Sequence, residues 1–195
     1  MIQNFTKNYF DELKKILDGI SLKDIEKIAD VLREAYKSNR HIFITGNGGS
    51  AATATHFACD LGKGTLSPKG PQKIKRFKVT SLTDNVATMT AWGNDVGYNR
   101  IFSEQLKNLL SPDDVVIGIS ARGNSPNILN AVKLAKKMKA RSIGLAGFNG
   151  GKLVKISDIS IVVPVHKYDI AEDAHLILCH VITRYFLETI NKNAK

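Results

Sequence analysis

After His41 the chain changes rhythm: short apolar runs rich in Ile and Val alternate with longer segments whose apolar residues recur every three or four positions. That alternation is the pattern of βα units, and it constrains the chain to an α/β fold on a parallel sheet. The runs predicted as strands are 42–45, 77–82, 115–120, 142–146 and 159–165. Between them the spacing predicts helices over 50–61, 85–91, 99–110 and 126–138, and a long closing helix over 170–189. Pro126 falls where a first helical turn accepts proline, because its missing N–H was unpaired there anyway. Two amphipathic helices are predicted upstream, one on Phe5, Tyr9, Leu13, Ile16 and Leu17, the other on Ile25, Ile28, Leu32 and Tyr36. At 195 residues the default is one domain with a proper core.

No apolar run approaches the ~20 residues that cross a bilayer, and the first residues lack the marks of a secretory signal. Cys59 and Cys179 make no disulfide framework, which points to a reduced cytoplasm. The net charge of +10 is scattered over helix-like segments, apart from one patch over 69–78, KGPQKIKRFK, which reads as a solvated surface loop. No nucleic-acid module is recognisable, so neither nucleic acid nor a membrane is expected as a partner.

Two strand-to-helix junctions stand out, ITGNGGSAA and GISARGNSPN. Each sits where the carboxyl end of a parallel strand meets a helix, the place where open α/β sheets bind ligands. Free N–H groups and the positive end of a helix favour an anion there, glycines let the backbone approach closely, and Ser50, Ser120 and Ser125 are natural donors. One such loop is also what a tight turn requires; two in one sheet favour an anion site. Neither fits a dinucleotide fingerprint or a P-loop, so a small phosphate ester ranks above a nucleotide. A nucleophile elbow is absent as well.

The helix after the first junction carries His56 and Asp60 at i and i+4, on one face. That spacing suits a divalent metal. It equally suits a histidine hydrogen-bonded to a carboxylate.

Gly46-Asn47-Gly48-Gly49-Ser50-Ala51-Ala52, then His56-Phe57-Ala58, Gly93-Asn94-Asp95, Ile119-Ser120 with Gly123-Asn124-Ser125, and a closing helix with Glu172 and His180, resemble the sugar isomerase (SIS) domain, in its phosphoheptose isomerase branch. The resemblance covers nearly the whole chain in the same order. It implies a single SIS domain over 1–195: a five-stranded parallel sheet flanked by helices, a flavodoxin-like three-layer sandwich. The N-terminal helical pair, 1–39, is expected to pack a homotetramer with sites at subunit contacts. The implied reaction converts sedoheptulose 7-phosphate to D-glycero-D-manno-heptose 7-phosphate, or its D-glycero-alpha-D-manno form, through an enediol, feeding surface-polysaccharide synthesis. The implied cofactor is zinc, held by His56, Asp60, Glu172 and His180, with Asp60 as base and His180 as acid and no nucleotide. Substrate contacts are expected from Asn47, Gly48, Gly49, Ser50, Asp84, Asn94, Asp95, Ser120, Ala121, Arg122, Ser125 and Glu172.

Several positions depart from the family's pattern. Asp60 stands where the family has glutamate and Glu172 where it has glutamine; Ala121-Arg122 replaces part of a serine-rich turn. Asp60 is one methylene short, which bears on the ~3 Å reach a base needs. Arg122 is expected either to bind phosphate bidentately or to guard the entrance. A capping role explains Asp84 equally well. Glu172 and His180 lie ~12 Å apart along an ideal helix, too far for one metal unless the helix begins after Glu172 or more than one chain contributes. These departures keep a rival open: a non-catalytic SIS protein that binds a sugar phosphate or a protein such as a replication initiator. His175, between the two, is expected to be a core or surface histidine.

Overall fold

Side chains along the central strands alternate between two apolar layers, which is why helices cover both faces of the sheet. Ile42, Ile44, Ile117, Ile119, Ile143 and Leu145 enter one core, and Phe43, Val116 and Ala146 enter the other. The computed structural model describes residues 1–67 and 75–192. Helices α1 (Ile2–Asp18) and α2 (Leu22–Lys37) lead into β1 (His41–Thr45), α3 (Gly49–Cys59), β2 (Lys78–Ser81), α4 (Val86–Val96) and α5 (Ile101–Leu109). Then follow β3 (Val115–Ser120), α6 (Pro126–Lys137), β4 (Arg141–Gly147), α7 (Gly151–Ile156), β5 (Ile159–Val163) and α8 (Tyr168–Lys192).

The five strands are all parallel, in the order β2-β1-β3-β4-β5. This is the flavodoxin-like order, and its switch point lies between β1 and β3, the strands that end in the two glycine-serine junctions. Residues of α2, α3 and α8 build the first core, with α1 packed against it; α4, α5, α6 and α7 supply the second. The Ser21 hydroxyl caps α2 by accepting from the Asp24 amide. Helix α1 has no buried residue: Tyr9, Leu13, Ile16 and Leu17 lie half-covered against the core, while Ile2, Phe5 and Phe10 are exposed.

The strands match the sequence expectation to within two residues at each end. One short helix, α7, was not anticipated, because six residues hold too few apolar repeats to show a period; Leu153 alone is buried from it. Helix α4 runs five residues past its expected end, through Gly93-Asn94-Asp95 to Val96, so that triplet is helical. Its cap is Asn85, which accepts from the Thr88 amide, not Asp84. Of the basic patch, 69–74 lies outside the described residues; Lys75, Arg76 and Lys78 are exposed and Phe77 is buried.

Phe57 carries α3 onto the core, fully buried among residues of the first layer. Phe57→Ala is expected to cost about 3–5 kcal/mol in a denaturant titration, since the cavity lies under the helix that bears His56. A loss below about 1 kcal/mol would show that α3 is held by something other than this contact.

Candidate functional site

The first junction can only be built from glycine where it turns. A Cβ on Gly46 would lie 2.1 Å from the Ser50 carbonyl oxygen, and Gly48 has φ of +53°. This brings the N-terminus of α3 to the carboxyl end of β1, with Ser50 buried there. At the second junction Ser120 ends β3 and Ser125 caps α6, their hydroxyls 3.2 Å apart. Gly123, at φ +64°, passes so close to Gly150 that a Cβ would meet its carbonyl oxygen at 2.0 Å. Asn124 completes the brace: its amide donates to the Arg122 carbonyl at 3.0 Å and its side-chain oxygen accepts from the Lys152 N–H at 3.1 Å. Two helix N-termini thus flank the switch-point crevice, the arrangement that holds an anion.

A side-chain bridge joins the two junctions. Asn47 and Asn127 exchange amide hydrogen bonds of 3.0 and 2.8 Å, and the Tyr98 hydroxyl donates to Asn47 at 3.0 Å. The sequence reading missed Asn127 and Tyr98. Asn127 directly follows the helix-starting Pro126, but its burial shows only in the fold; nothing in the sequence marked either residue as a bridge.

Helix α8 lies beside α3 and runs in the same direction, so that matching levels of the two helices meet. At the upper level the Glu172 carboxylate rests on Gly49, where a Cβ would lie 2.2 Å from Oε2. At the lower level His180 Nε2 is 3.0 Å from His56 Nε2 and 3.7 Å from Asp60 Oδ2, and His56 Nε2 is 3.2 Å from the same oxygen. Asp60 opens a π-helical turn, Asp60–Gly64, that extends α3; such turns are frequent at functional sites. Its other oxygen, Oδ1, faces Gly64.

The donor set fits a divalent metal. Ligand atoms at ~2.05 Å from a tetrahedral zinc sit ~3.3 Å from one another, and the three observed separations straddle that value. Glu172, the fourth residue of the expected set, is not brought to this group: α8 begins at Tyr168, before Glu172, and the two residues stay two turns apart. Asp84, between β2 and α4, accepts from Thr55 of α3 at 2.5 Å, and Asn94 and Asp95 pair with each other on α4.

A model of the SIS domain matches residues 8–147. The chain belongs to the SIS-domain family. It is 36% identical over 173 residues to the phosphoheptose isomerase of Aliarcobacter butzleri, covering 88% of each chain. The Helicobacter pylori phosphoheptose isomerase is 35% identical over 187 residues, 93% of this chain and 94% of that one. Among solved structures, phosphoheptose isomerase GmhA from Neisseria gonorrhoeae superposes with a TM-score of 0.86 at 28% identity, covering 95% of this chain and 98% of its own.

In this SIS domain the electrostatics of α8 are uneven. Burial, reinforced by Asp173 and Asp169, raises the Glu172 carboxyl above its usual range. His175 is fully buried, and burial pushes its pKa down to about 4 against a lesser opposing pull from the Ala146 backbone. Neither ring nitrogen has a hydrogen-bond partner of good geometry. His175 is therefore a neutral core residue.

Gly49→Ala should destabilise the domain by about 1–3 kcal/mol through overpacking, and adding Glu172→Ala should recover most of that loss; additive effects would mean the two residues do not touch. An unfolded histidine binds its proton near 6.5 while folded His175 does so near 4, so its contribution to stability is complete above about pH 6.5 and is lost as the pH falls toward 4. The Tm should drop across that window, and His175→Asn should flatten the drop; an unchanged slope would assign it to other groups.

Proposed function

We propose that this SIS domain is an aldose–ketose isomerase that converts sedoheptulose 7-phosphate to D-glycero-D-manno-heptose 7-phosphate. The observation that carries the reading is the division of one groove, between α3 and α8, into an anion-binding end and a proton-transfer end. Its phosphoheptose isomerase relatives, matched over almost their full length, support it.

The phosphate is bound by the two helix N-termini with Ser50, Ser120, Ser125 and the Asn47–Gly49 backbone; Ala121 and Arg122 line the same loop. Along α3, His56 lies seven residues beyond Gly49, ~10 Å of helix. A seven-carbon sugar phosphate spans ~8 Å from its carbonyl carbon to phosphorus, at the ~1.1–1.2 Å advance per bond of an extended chain, so the anchored substrate reaches His56, Asp60 and His180. Asp60 takes the C1 proton of the ketose, giving the enediol, and returns a proton to C2. His180 moves the hydroxyl proton between O1 and O2, a transfer an imidazole can serve through either ring nitrogen. Glu172, Asp84, Asn94 and Asp95 are assigned to the sugar hydroxyls.

Zinc is the cofactor that His56, Asp60 and His180 would hold, and it supplies Lewis-acid polarisation of the carbonyl when bound. Asp60 has an oxygen for each duty, Oδ2 toward the histidines and Oδ1 on its far side. The side chains of His56 and His180 are about half exposed in one chain, whereas an enediol needs shelter from water. A second copy would provide it, and the exposed apolar residues Ile2, Phe5, Phe10, Leu22, Val181 and Tyr185 are surfaces for that packing. The single domain over 1–195, with its N-terminal pair 1–39, is accordingly assigned to a homotetramer. Among the described residues no helix is long and apolar enough to cross a membrane, and a cytoplasmic location suits the proposed substrate.

The test combines metal analysis of the purified protein with turnover of sedoheptulose 7-phosphate. D60N and H180Q should each lower kcat by at least about 10²-fold while sugar-phosphate binding persists. Tight binding with neither metal nor turnover in the wild type would leave the SIS domain as a binding protein and end the isomerase reading.

A further inference from the structure

The second junction carries a cation that the rest of the site does not use. Arg122 stands between Ser120 and Ser125, its carbonyl pinned by the Asn124 amide and by close passage of Gly151, on which a Cβ would lie 2.4 Å away. The side chain therefore leaves from a fixed point. Its guanidinium carbon sits 5.4 Å from the centre of the Phe148 ring and 5.2 Å from that of Tyr168, and the two rings are themselves 5.2 Å apart. Both distances are within cation–π range.

Three features make this more than a surface stack. First, among the described residues no hydrogen bond or ion pair engages the guanidinium. Ring faces hold an arginine without occupying its N–H groups, so its five donors stay available to an anion. Second, Phe148 adopts φ of +54°, a left-handed conformation that a non-glycine residue holds only at a cost, and its N–H is fixed to the Val165 carbonyl at 3.0 Å. Third, Tyr168 lies one turn before Glu172, which rests on Gly49 of the first junction. The guanidinium thus joins the second junction to the turn of α8 that borders the first. Glu172 sets its carboxylate against Gly49 at that junction, so a cation nearby would offset a negative charge beside an incoming phosphate.

We propose that Arg122 supplies an added charge-assisted contact to the phosphate monoester of the substrate, and that Phe148 and Tyr168 are positioning residues that hold its guanidinium ready for it. The inference rests on the phosphate-cradle part of the proposed function, not on the isomerisation itself. Its chemistry asks for a tetrahedral dianion, which the guanidinium fork matches with paired donors.

The experiment measures the Kd for inorganic phosphate by calorimetry on the full chain, beside KM and kcat for the sugar phosphate. Arg122→Gln should weaken phosphate binding about tenfold and raise KM in step, with kcat changed by less than about twofold. Phe148→Leu and Tyr168→Leu should act the same way by about three- to fivefold each, while Tyr168→Phe, which keeps a ring face, should behave as wild type. Unchanged phosphate affinity in Arg122→Gln overturns the proposal. A weakened Arg122→Gln with unaltered leucine variants overturns the positioning role of the rings. A wild-type protein that turns over no sugar phosphate yet shows these phosphate affinities supports the clamp while the isomerase reading fails, so the two failures are distinguishable.

Discussion

The meeting of His56, Asp60 and His180 depends on α8 lying against α3 closely enough for matching levels to touch. Gly49 admits the Glu172 carboxylate and Gly64 admits Thr183 Cγ2, with Asp60 against the same glycine; between these levels His180 meets His56 and Asp60. The contact is held from below by apolar side chains of both helices, Ala54, Phe57, Ala58 and Leu61 from one and Ala171, Ala174, Leu178 and Ile182 from the other, all in one core. Half of these are alanines, so the helix axes can come near each other, and Phe57 fills the space they leave. The polar groups of the groove are thus by-products of a packing decision made one layer deeper.

The same layer explains why α8 tolerates a histidine with no good partner. His175 points from α8 into the core beside Ala171, Ala174 and Cys179, where a charged ring would be costly to bury. The helix therefore carries two kinds of histidine: His180 on its open face, beside His56 and Asp60, and His175 on its closed face, kept neutral. Five positions separate them, and a helix of 3.6 residues per turn sends such positions to different faces.

The second junction is supported differently. Its glycine is pressed against the start of α7, a helix too short for its periodicity to be read, and its arginine against two rings, Phe148 just after β4 and Tyr168 at the start of α8. The first junction is shaped by its own glycines; the second is braced by residues that follow it in the chain by 26 to 46 positions, Phe148 to Tyr168 counted from Arg122.

The sequence by itself determined the sheet, the two junctions and the pairing of His56 with Asp60, because each rests on local periodicity or on spacing within one turn, which a linear pattern records. It also carried the warning that Glu172 and His180 are too far apart on a helix to serve one metal within a chain, and the course of α8 upholds it. What only the tertiary structure decided is which distant residues share a level: His180 with His56 rather than with Glu172, Asn127 with Asn47, Tyr168 and Phe148 with Arg122. Those pairings come from how α8 lies along α3 and how the β1 and β3 junctions face each other across the switch point. The side chains concerned are separated by up to 124 residues, so their meeting is set by the packing of whole helices and strands, which leaves no mark in the spacing of the chain.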